Sequence, residues 1–251
     1  MPPADTSHTV PPRPSHHFET TNWTLVRQAA SEDEAVAAAA LETLCKAYWL
    51  PVYAYIRSRG RSETDAEDLT QGVFQRLLKQ KAFAKAGRSP GKLRSYLLVS
   101  VRNYLASDYE RETAWKRGGG AVHFSLDTAW AESTLEGELA DDRTPDRIYQ
   151  HVWARTILDF SLQLLEEEYA SDGKAEEFDL LRPTLGFTTV PNQSYADLAA
   201  RTGVSADAWK MRVHRFRKRW KEVFRRQVAM TLGDASKENI KMELAELIDL
   251  L

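Results

Sequence analysis

The 251 residues carry 34 Lys and Arg against 36 Asp and Glu, and 43% are apolar, enough to bury an ordinary core in one or two domains. No stretch reaches the roughly 18 consecutive apolar residues of a membrane span, and prolines and histidines stand where a secretory signal would be apolar, so a cytoplasmic protein is expected. A single cysteine, Cys45, excludes an internal disulfide, and its setting beside the run from Ala37 to Leu44 is that of a small buried hydrophobe.

Residues 1–17 hold Pro2, Pro3, Pro11, Pro12 and Pro14 among polar neighbours and show no apolar periodicity, which predicts a disordered arm. Helix signals follow. Ser31 with Glu34, Ser62 with Asp65 and Ser194 with Asp197 fit the spacing in which a Ser and an acid three residues later satisfy each other's backbone N–H groups. Thr144-Pro145 adds another start, since proline is tolerated in the first turn, where its missing N–H is not needed. Apolar residues then recur at helical spacing, as in Ala66, Leu69, Val73 and Leu77. The expected helices cover about 22–30, 33–48, 50–59, 63–80, 92–115, 145–170, 174–182, 194–201, 205–231 and 236–250, giving an all-α fold.

Gly118-Gly119-Gly120, and the acidic residues from Asp127 to Asp142 with no Lys or Arg among them, interrupt this pattern. They predict a flexible acidic linker over 118–143. It divides two helical domains, 18–117 and 144–233, with a helical tail at 234–251.

The charge balance conceals a strongly basic segment. From Lys210 to Arg226 nine Lys and Arg residues face one acid, Glu222. This run follows Ser194 to Ser205, which reads as the first helix and turn of a helix-turn-helix: Ala199 is small where two helices approach, Gly203 suits a turn with positive φ, and Ser205 can cap the next helix. An ordinary helical hairpin with a solvated basic face is the plainer reading, and the density of charge directly after the turn argues against it. Trp209 and Phe216, seven apart, are expected to face the core.

Two further segments bear on function. Asp65 and Asp68, three apart, share a helical face opposite the apolar stripe; acids in a first turn are most often solvated charges favoured by the helix dipole. From Lys92 to Arg117, basic residues alternate with Tyr96, Tyr104, Tyr109 and Trp115, a mixture suited to single-stranded DNA, on which rings stack and cations hold the backbone. Leu93, Leu97, Val101 and Leu105 mark the buried stripe of that helix, so Tyr104 could pack as well as stack.

These segments, in this order, resemble the extracytoplasmic-function group of the sigma-70 family of RNA polymerase sigma factors, over residues 40–230. Tyr48 to Arg57 with Asp65 to Gln71 is similar to the family's second conserved region, and Trp209 to Arg217 to the recognition helix of its fourth. The resemblance implies a transcription initiation factor, not an enzyme, that needs no cofactor and has two partners. Asp65, Glu67, Asp68 and Gln71 would dock on the β′ clamp of core RNA polymerase. Arg94, Arg102, Asn103, Arg111, Trp115 and Lys116 would read the melted proximal promoter element. Lys210, Arg212, His214, Arg215, Arg217 and Lys218 would read the distal promoter element. An anti-sigma factor or a protein kinase is a further partner the resemblance leaves open.

Two residues depart from the family pattern. Gly72 stands where an acid is usual, implying weaker docking, and Trp209 where a small β-branched residue is usual, implying a repacked hairpin. Two rival readings remain: a helix-turn-helix regulator that does not occupy the sigma site, and a carboxylate metalloenzyme built on Asp65 and Asp68. The second lacks any His or Glu constellation with metal-ligand spacing.

Overall fold

A computed structural model describes residues 28–29, 31, 33–79, 91–112, 128–139, 143–187 and 193–251. The expected arm at 1–17, nearly all of the helix expected at 22–30, the triple glycine, Trp115 and Lys116 lie outside them. Among the described residues the chain is helical with no strand, as the periodicity predicts. In chain order the helices are α1 (Glu34–Arg57), α2 (Glu63–Lys79), α3 (Leu93–Glu112), α4 (Thr128–Leu135), α5 (Pro145–Ser171), α6 (Ala175–Leu181), a 3-10 turn (Arg182–Leu185), α7 (Tyr195–Thr202), α8 (Ala206–Met230) and α9 (Lys237–Leu250). No helix among them is long and apolar enough to cross a membrane.

The capping chemistry sets most of these starts. Ser62 Oγ accepts from the Asp65 N–H at 3.1 Å, Thr144 caps α5 ahead of Pro145, and Ser194 and Asp197 make both halves of a capping box. At α1 the cap lies two residues after the expected Ser31. Asp33 is the N-cap, accepting from Ala35 and Val36 at 3.0 and 3.3 Å, while Ser31 Oγ accepts from Asp33.

Two expectations need correction. The helices expected at 33–48 and 50–59 are one, because α1 runs through Pro51. A proline inside a helix costs about 3 kcal/mol. Here Tyr48, Trp49, Val52, Tyr53, Tyr55 and Ile56 are all essentially inaccessible, and burial stabilises by about 1.5–3 kcal/mol for each large apolar side chain, which outweighs the interruption. The expected flexible linker contains α4, whose Ala131 and Leu135 are buried one turn apart. Its Glu132 accepts from Arg57 Nε at 2.6 Å, Arg57 Nη2 at 2.8 Å and Tyr53 Oη at 2.6 Å, so this acidic segment is fastened to the end of α1. Nothing local marks this attachment, because the partner lies 75 residues earlier.

Packing also crosses the expected boundary at 118–143. The larger apolar cluster joins α1, α2, α3 and α4 to Ile148, Tyr149, Val152, Trp153, Ile157 and Leu158 of α5, to Phe224 and Val228 of α8 and to Leu247 of α9. A smaller cluster gathers Leu165, Phe178, Leu181 and Leu198 with Trp209, Val213, Phe216 and Val223. Helix α5 therefore contributes its first half to one core and its second half to the other. An isolated antiparallel bridge between Lys92 and Leu232 ties the start of α3 to the end of α8.

Candidate nucleic-acid interface

Helices α7 and α8 are joined by the turn Gly203-Val204-Ser205. Gly203 has φ 70°, a conformation that favours a residue without Cβ, and its N–H closes α7 on the Ala199 carbonyl at 2.9 Å. Ser205 then caps α8 through the Ala208 N–H. Leu198, Trp209, Val213 and Phe216 lock the hairpin onto α5 and α6. The indole Nε1 of Trp209 donates to Thr202 Oγ1 at 2.9 Å, which gives the large ring a polar partner between the two helices.

The inward face of α8 fixes what points outward. Lys210, His214, Arg215 and Lys218 are exposed and form no ion pair among the described residues. Met211 is 57% exposed on the same face, an apolar side chain that the basic pattern concealed and that suits the methyl group of a thymine. Arg212 stacks over Trp209 at 5.1 Å and reaches Glu177 of α6 at 3.4 Å, a surface pair that a phosphate can displace at small cost.

Arg217 is the exception on this helix. Its guanidinium turns back and donates to the Thr184 carbonyl, at 3.1 Å from Nε, so it satisfies the 3-10 turn where a distal-promoter contact is expected. Arg219, one turn further than Arg215, is clamped by Glu168 of α5 at 2.9 and 2.7 Å and lies near Glu222.

On α2 the expected acidic face forms. Asp65 and Asp68 are exposed and Glu67 and Gln71 half-buried, while Ala66, Leu69, Thr70, Val73 and Phe74 face the core. Asp65 also accepts from Ser62 Oγ at 2.7 Å, so it is part of the cap as well as of the face. No group of three or more His, Cys, Asp or Glu among the described residues is placed to hold a metal ion.

The cationic residues expected to read the proximal element separate on α3. Arg102 and Asn103 are exposed, with Arg102 paired to Asp146 at the start of α5. Arg111 lies on α3, but its side chain, like Trp115 and Lys116, falls outside the described residues. Arg94 is 3% exposed and does not face solvent. Its Nε donates to Glu243 at 2.9 Å, Nη2 to Glu246 at 2.8 Å and Nη1 to Gln150 at 2.7 Å, over the Trp153 ring at 5.0 Å. In this arrangement Arg94 joins α3, α5 and α9 and lies away from the exposed face on which the resemblance expects it.

Sequence reasoning missed Arg59 and Arg61. With Arg102 and the apolar side of Leu105 they line a cavity of about 800 Å³ between the end of α1, α3 and the first turn of α5. Nothing in the local pattern joins residues of the α1–α2 loop to α3; the contact exists only because α3 and α5 both pack on α1. A scan of family models, a search of curated proteins and a search of solved structures each return no match to this chain.

Proposed function

We propose that the chain is a transcription initiation factor of the sigma type, which binds core RNA polymerase and directs it to promoters. The observation that carries this reading is the α7–α8 hairpin. Its glycine turn, capped second helix and outward Lys210, Met211, His214, Arg215 and Lys218 form a surface with the size, charge and donors to enter a major groove. The exposed Asp65 and Asp68 on α2 supply an acidic docking face for the polymerase clamp, and Arg102, Asn103, Arg59 and Arg61 a cationic surface for the melted strand.

One observation favours a second reading, a helix-turn-helix regulator that does not occupy the sigma site: a common core ties the α8 surface to the α2 and α3 surfaces in this arrangement. Reconstitution separates the two. Sigma-free core polymerase mixed with the protein should transcribe specifically from a subset of genomic promoter fragments, and Asp68→Lys should abolish co-purification with the core. Duplex binding without any transcription would favour the regulator.

A further inference from the structure

We propose that α9 is an internal competitor for nucleic acid, holding the cationic start of α3 closed until a polyanion displaces it; the inference rests on the proposed role of α3 as a nucleic-acid surface. Its basis is a charge arrangement that no apolar packing requires. Glu243 has no solvent exposure, and Glu246, one turn along α9, is half-exposed. Lys92 Nζ lies 2.7 Å from Glu243 and is also paired with Glu246, while Arg94 bonds both carboxylates. Two anions held over two cations, one just before α3 and one in its first turn, is the pairing that successive phosphates of a strand would make.

The remaining attachments of α9 lie along one apolar side, where Leu244 and Leu250 pack against the larger core and the Leu250 carbonyl meets His151 Nδ1. Leu247 enters the larger core and Ile240 is nearly buried, whereas Met242 and Ile248 on the outer side are 57% and 70% exposed. The connection before it is pinned by the Gly233 N–H on the Gly91 carbonyl at 3.1 Å. Burying a carboxylate is costly unless its partners compensate, so exchanging Glu243 and Glu246 for phosphates replaces one set of compensated charges by another. A polyanion can take over the charged part of this attachment, whereas the apolar part opposes release, so loosening the apolar part should favour the exchange. Displacement would open the Nε and Nη2 edge of Arg94 while Gln150 and Trp153 still orient its other side.

The test uses the full chain and a fluorescein-labelled single-stranded oligodeoxynucleotide. Glu246→Gln removes the half-exposed carboxylate, and Leu247→Ala loosens the apolar anchor without touching either cation. Each should raise oligonucleotide affinity, Glu246→Gln by about two- to fivefold, the range of a surface ion pair. In the unaltered protein, hydrogen exchange of residues 237–250 should accelerate when the oligonucleotide is saturating. Two folded variants with unchanged or weaker affinity, or exchange in α9 that the bound oligonucleotide leaves unaltered, would overturn the competitor and leave the nucleic-acid reading standing. Absence of binding by the parent chain and both variants would overturn both.

Discussion

The hydroxyl of Tyr104 on α3 lies 2.0 Å from the position that a β-carbon on Gly72 of α2 would occupy, and its Cζ lies 2.8 Å away. At Gly72, then, the Tyr104 side chain of α3 lies directly against the backbone of α2. A mid-helix glycine costs about 1 kcal/mol relative to alanine, which the close approach of the Tyr104 ring requires. A glycine at this position has a packing reason, since a longer side chain would have to displace that ring. Gly72→Ala should lower stability by about 1–2 kcal/mol through overpacking, yet raise it by up to about 1 kcal/mol in a Tyr104→Ala background, where helix propensity alone remains. Urea denaturation of the double-mutant cycle checks the reversal of sign; the same sign in both backgrounds would refute the contact.

The Arg57 and Glu132 pair should make stability depend on acid. Arg57, with the Tyr53 hydroxyl, holds the Glu132 carboxyl below its ordinary value despite opposing burial. A depressed folded-state value means that the contribution is complete above the unfolded carboxylate pKa of about 4.3 and is lost as pH falls below it through the folded value. Glu132→Gln should cost about 1–2 kcal/mol at neutral pH and flatten the acid limb of the stability profile. Chemical denaturation between neutral and acid pH measures both, and an unchanged acid limb in the variant would refute the role of Glu132.

On α8 the structure separates side chains that composition treats alike. Lys210→Ala and Arg215→Ala should weaken duplex binding, with a lost phosphate contact reducing the salt slope by about one and a lost base contact relaxing preference at one position. Arg217→Ala should instead lower thermal stability, by about 1 kcal/mol, because it uncaps the Thr184 carbonyl. Fluorescence anisotropy beside thermal denaturation distinguishes them. An Arg217 variant that keeps its stability and loses affinity would place that residue in the proposed duplex-binding surface.

Trp209 supplies the fourth expectation. Thr202→Val preserves shape but leaves the indole N–H without its 2.9 Å acceptor, and should cost about 1–3 kcal/mol while lowering duplex affinity through a loosened hairpin. Near-ultraviolet circular dichroism of the tryptophans should change with it. An unaltered spectrum and melting point would show that the hydrogen bond contributes nothing.

The fold class was legible because caps and periodicity are local: Ser62, Thr144, Ser194 and Ser205 each mark a helix start that the structure reproduces. The α7–α8 hairpin was legible for the same reason, with Gly203 at positive φ and Trp209 and Phe216 in the core. Residues whose role depends on a distant partner were not. Arg94 reads as one cation among several on α3, and only the return of the chain 149 residues later brings Glu243 to it. Glu132 reads as part of a flexible acidic linker for the same reason, and Met211 was hidden by the charges around it.

Helix α5 links the smaller core, on which α8 rests, to the core that carries α2 and α3. Its 27 residues make a rod of about 40 Å at 1.5 Å per residue. Such a rod works as a ruler and a protractor together. Each residue inserted in its middle would advance the far end by about 1.5 Å and rotate it by about 100°, so one insertion would tend to turn the outward face of α8 aside, whereas seven would restore nearly the same heading at a longer reach. Because Phe224 and Val228 of α8 also enter the larger core, separation and orientation between the two surfaces are inherited from the residue counts of α5 and α8 together.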